Sequence, residues 1–124
     1  MNVATEQLER VVALLTIGLA VALERGKVTT AEANQILFSP HAMAMLRSAG
    51  VRESVVDLVH AGTEIEDIEF SLPGRMPHNL HLLVAEAVAC LETCEKYNFN
   101  ADKWIVRLLG EVPPKAEADG KGGG

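Results

Sequence analysis

Segment 4–25 constrains this chain more than any other. Leu8, Val12, Leu15, Leu19 and Leu23 recur at helical spacing, and Val11, Leu14, Gly18 and Val21 form a second stripe beside them. Two neighbouring apolar stripes mark a helix packed on more than one side, so further helices must be built around it. Gly18 offers a neighbouring backbone a close approach. Gly26 ends the helix, as the residue best suited to the left-handed conformation after a last turn. Within this segment the apolar run 11–23 is broken only by Thr16 and Gly18. It is shorter than the ~20 residues that span a bilayer. Glu6 and Glu9 precede it with only Arg10 positive, a poor signal-peptide start. The reading is a buried central helix in a cytoplasmic protein, with no membrane association.

The remaining chain repeats the helical theme. Aromatic residues make up only 4% of the 124 residues, and β-branched runs are scarce, so the core must be aliphatic and helical. Thr29 and Glu32 match a capping box and start a short helix with Ala33, Ile36 and Leu37 inward. Ser39 and Pro40 start the next, which packs through Met43, Met45 and Leu46 and stops at Gly50. Val55, Val56, Leu58 and Val59 define a helix over 52–61, broken at Gly62. Thr63 and Glu66 form a second capping box for another short helix, with Ile65, Ile68 and Leu72 on one side. The stretch 72–77 holds two prolines and a glycine and reads as a loop. Pro77 starts a long helix over 78–96, and Asn100 caps a last one with Trp104, Ile105, Leu108 and Leu109 inward. The expected fold is all-α: a compact array of two long and four or five short helices without a sheet. It forms a single helical domain over 1–110, followed by a disordered tail over 111–124.

The net charge of −6, without a basic run, disfavours nucleic acid and allows a basic protein partner. Cys90 and Cys94 lie four apart on a helix, in poor geometry for a disulfide, and read as free thiols. The acids Glu64, Glu66, Asp67 and Glu69 have three readings. They can complement the dipole at a helix start, form a docking surface with Phe70 as its aromatic anchor, or hold a metal. Asp57, His60 and Glu64 share a helix face if the helix is continuous, which Gly62 argues against. His78 and His81 show no carboxylate partner in the sequence. Ser54, Asp57 and His60 have the residue types of a hydrolase triad, but one helix cannot give them its geometry. No phosphate-binding loop, HExxH or CxxC motif occurs, so no catalytic residue, cofactor or metal site is assigned.

Several strings recur together: Gly18-Leu19, Ala22-Leu23-Glu24-Arg25-Gly26, Glu32-Ala33, Leu37-Phe38-Ser39-Pro40, Gly50-Val51, Val59-His60-Ala61-Gly62-Thr63-Glu64 and Glu66-Asp67. Their order over 15–73 resembles a family of small bacterial helical proteins known as a domain of unknown function. That family is expected to carry Leu where Ile65 stands. The resemblance implies a stand-alone bacterial helical protein and supplies no catalytic residue.

Size, acidity and the absence of catalytic motifs lead to a small binding protein, most concretely an immunity protein that neutralises a toxin effector. Glu64, Glu66, Asp67 and Phe70 are its expected contacts. Two other classes stay open. One is a helical metal-binding protein or enzyme using His60 with Asp57 or Glu64. The other is a self-associating structural protein, such as a homodimer, that pairs through the apolar surface of the first helix.

Overall fold

Helix follows helix through the whole of residues 3–94, which the computed structural model describes. In chain order these are α1 (Val3–Glu24), α2 (Thr30–Ile36), α3 (Pro40–Ser48), α4 (Glu53–Ser71) and α5 (Met76–Thr93). A single 3₁₀ turn (Pro73–Arg75) joins α4 to α5, tighter than the open loop expected there. No strand occurs among the described residues, so the all-α expectation holds. The count does not: α4 is a third long helix where two short ones were expected. The helix expected after Asn100 and the tail 111–124 lie outside the described residues.

The caps follow the sequence closely. Thr29 Oγ1 accepts from the Glu32 amide at 3.1 Å, and Ser39 Oγ accepts from the Ala42 amide at 3.1 Å. Each satisfies an amide that a helix start leaves without an internal partner. Gly26 and Gly50 take φ of 69° and 83° at the two places where the chain leaves a helix and turns. Pro77 stands in the first turn of α5, where its missing N–H costs nothing.

Gly62 does not break its helix. A glycine inside a helix costs only about 1 kcal/mol relative to alanine. Val55, Val56, Leu58, Val59 and Ile65 are buried on either side of it and outweigh that cost. Gly62 serves packing instead: the ring of Phe38, only 1% exposed, occupies the space a Cβ would take. Thr63 is correspondingly no cap; its hydroxyl donates back to the His60 carbonyl at 2.6 Å.

α1 and α5 run antiparallel and share the largest contact, with α4 packed on both. Two links fix the direction. His81 in the early part of α5 meets Glu24 at the end of α1, while Cys94 beyond α5 meets Arg52, which holds Glu9. The core is aliphatic, from Val12, Leu19, Leu23, Val55, Val59, Leu80, Leu83 and Ala87, with Phe38 the one buried aromatic among the described residues. Three expectations fail. Ile36 and Met45 face solvent, and the chain buries Phe38 beside Leu37 in their place. The second stripe of α1 is not covered along its length: Leu14 is 51% exposed, and Val21 is exposed too. Among the described residues, nothing approaches Gly18 closely.

Candidate functional site

Because α4 is continuous, the acids lie in its C-terminal half rather than at a helix start. Negative charge is mildly unfavourable there, and no basic residue offsets it in the last turn. The dipole reading of the cluster therefore fails, and the acids need other partners. Two of them find α2: Glu69 Oε1 accepts from the Thr30 hydroxyl at 2.9 Å, and Glu66 Oε1 accepts from Asn34 Nδ2 at 3.0 Å. Both tie the end of α4 to the small helix beside it. Glu64 lies 3.8 Å from His60 Nε2. Asp67 has no ion-pair partner among the described residues.

Thr63, Glu66, Asp67 and Phe70 are spaced i, i+3, i+4 and i+7, so they share one arc of α4 pointing away from the core. Glu64 flanks that arc. Ile65 points inward and is buried, as the alternation requires. Phe70 is 91% exposed. Leu72 just beyond it is also exposed, contrary to its expected inward place. The structure thus brings Glu66, Asp67 and Phe70 together in one surface, with Glu64 at its edge. A whole phenyl ring in water forgoes about 2 kcal/mol of burial free energy. Apolar exposure bordered by charge is the usual make-up of a contact site.

The continuous helix removes the objection to a shared face for Asp57, His60 and Glu64. Among the described residues, though, no three His, Cys, Asp or Glu side chains are grouped closely enough to hold a metal. His81 does have a carboxylate partner, contrary to expectation: Nε2 lies 2.7 Å from Glu24 Oε2. The sequence could not reveal it, since the partner sits at the far end of another helix.

One polar cluster escaped the sequence reading. Glu9, 3% exposed, accepts from the Arg52 backbone amide at 2.7 Å and from Arg52 Nε at 3.1 Å. Arg52 Nη1 reaches Thr93 Oγ1 and Nη2 reaches Cys94 Sγ, each at 3.3 Å. Burial opposes the guanidinium charge, but Glu9, Cys94 and Cys90 outweigh it and raise Arg52 above its ordinary value. Burial, with Cys94 beside it, pushes the Cys90 thiol up. A thiol so shifted is a poor nucleophile, and both cysteines are free and buried. The missed signal was Glu9 itself, one turn before Ala13 on the buried side of α1.

The fold and its surface define a small all-α domain with an internal ion pair and an exposed acidic–aromatic helix face. Residues 4–106 match a family described as "Protein of unknown function (DUF3969)", and the chain belongs to it. The match is wider than the resemblance over 15–73 and takes in α5. No curated protein and no solved structure matches the chain.

Proposed function

We propose that this chain is a binding protein whose outer α4 face receives a basic protein surface. Phe70 is the apolar anchor, Glu66 and Asp67 are its acidic neighbours, and Glu64 closes the edge. The supporting observation is the 91% exposure of Phe70 on an arc shared with two carboxylates. Aromatic anchors carry much of the free energy of an interface, while surrounding charge sets the encounter rate and the choice of partner. In its concrete form the reading is an immunity protein that covers the basic surface of a bacterial toxin effector in the cytoplasm.

Three tagged forms test it by capture from the source cell: the wild type, Glu66→Lys with Asp67→Lys, and Phe70→Ala. The charge reversal and the truncation should each reduce recovery of one basic protein by about tenfold or more, as expected for central contacts. Thermal melting should barely move in Phe70→Ala, since that side chain lies outside the core, while the charge reversal also removes the exposed Glu66–Asn34 hydrogen bond and should lower the melt slightly. Equal recovery by all three forms would remove this face from consideration.

A further inference from the structure

Helices α4 and α5 leave an open groove between them. Ser54 and Thr93 share one end of it, and Ile68 and Asn79 share the other, so the two helices run antiparallel along its length. From Ser54 to Ile68, α4 rises about 21 Å. The floor is apolar: Leu58, Ile65, Leu83 and Cys90 line it and are buried. Ala61 and Ala89, with only a methyl group each, keep it open. The rim is acidic. Asp57 and Glu64 stand on the α4 side and Glu86 on the α5 side, all three exposed. Among the described residues no Lys or Arg lines the groove, and neither Asp57 nor Glu86 belongs to an ion pair. Glu64 has only His60 near it, at 3.8 Å.

We propose that this groove is a docking site for a cationic amphipathic helix of a partner protein. An apolar floor between carboxylates on both sides calls for an apolar stripe flanked on both sides by Lys or Arg. A helix of about 14 residues, four turns, matches the length of the groove. Laid there, it packs on α4 and α5 by the same ridge-and-groove contacts that join helices in a core. The rim repels phosphate, so nucleic acid and anionic membrane are both unsuited to it. The site is separate from the Phe70 face. Two residues turn a helix by about 200°, so Ala61 in the groove and Thr63 beside Phe70 point to opposite flanks of α4. Glu64 borders both, and neither surface requires the other.

The probe is a synthetic peptide of about 14 residues, with leucines at helical spacing and lysines elsewhere. A peptide of the same composition in scrambled order carries equal charge without the stripe. Calorimetric titration at physiological salt, where unspecific attraction is screened, compares the two. The ordered peptide should bind the wild type one to one, and the scrambled one about tenfold or more weakly. Glu86→Lys and Ala89→Arg should each weaken the ordered peptide by about tenfold or more. Glu92→Lys, the same charge change on α5 outside the groove, should leave its affinity within about twofold. Amide chemical-shift changes in the wild type should centre on 58–65 and 83–90, a readout that stands even where a variant fails to fold. No saturable binding, equal binding of the two peptides, or equal losses in Glu86→Lys and Glu92→Lys would each overturn the proposal. Shifts centred on 66–70 would overturn it too, and assign the peptide to the Phe70 face.

Discussion

Gly62→Ala is expected to destabilise the domain by about 2–3 kcal/mol, against the ordinary preference of helices. In a solvent-facing helix position the same change stabilises by about 1 kcal/mol. Here the added methyl falls on the ring of Phe38, a rigid group already fully enclosed. Relief requires either the ring to leave the core or α2 and α3, which flank it in sequence, to move away from α4. The steric term exceeds the propensity term, so the sign is negative. In a domain of this size the melting temperature should fall by about 10 °C or more. Phe38→Leu should itself cost stability through lost packing, yet in its background Gly62→Ala should cost much less. Thermal melts of the four proteins decide it. A single Gly62→Ala protein that melts higher than the wild type would mean that Phe38 does not lie against this helix.

The same glycine shows where sequence reading loses its hold. Caps are local, and Thr29, Ser39, Gly26 and Gly50 all act as their neighbours imply. Periodicity is nearly local, and it placed Val55, Val59 and Ile65 inward correctly. Gly62 is ambiguous locally, because a helix stop and a notch for a neighbour call for the same residue. Only the position of Phe38, a separate segment, separates the two. Reading a stop there also moved Glu64, Glu66 and Asp67 from the last turns of a helix to the first, which reversed their relation to its dipole. Their exposure was still legible, because Ile65 and Ile68 fix which side of α4 faces inward. Glu9 was illegible for a related reason. A charged residue on an apolar stripe reads as an interruption until its partner is known, and Arg52 comes from a different helix.

Removing Glu9 should have the largest effect of any polar substitution among the residues discussed. Its carboxylate is almost fully buried and satisfies both the backbone amide and the side chain of Arg52, at the start of α4. That helix start is itself a site of partial positive charge, so the carboxylate has three favourable partners. Glu9→Ala strands an amide and a guanidinium together, and breaking such a pair costs about 3–5 kcal/mol. The lower end applies, because Arg52 keeps a third of its side chain in contact with water. Glu9→Gln retains one acceptor and should lose roughly half as much. Replacing both partners by apolar residues of similar volume, as in Glu9→Leu with Arg52→Met, should recover only the part of the loss that the stranded guanidinium causes, because the backbone amide at residue 52 still lacks its acceptor. The effect of Glu9→Ala should hardly change between low and high salt, because a buried pair is poorly screened. By contrast, Arg47 and Glu53 pair at 2.9 Å with both side chains more than half exposed, and Arg47→Ala should have little effect. Denaturant titrations of these variants test the ordering. A Glu9→Ala protein within about 1 kcal/mol of the wild type would mean that this pair does not join α1 to α4.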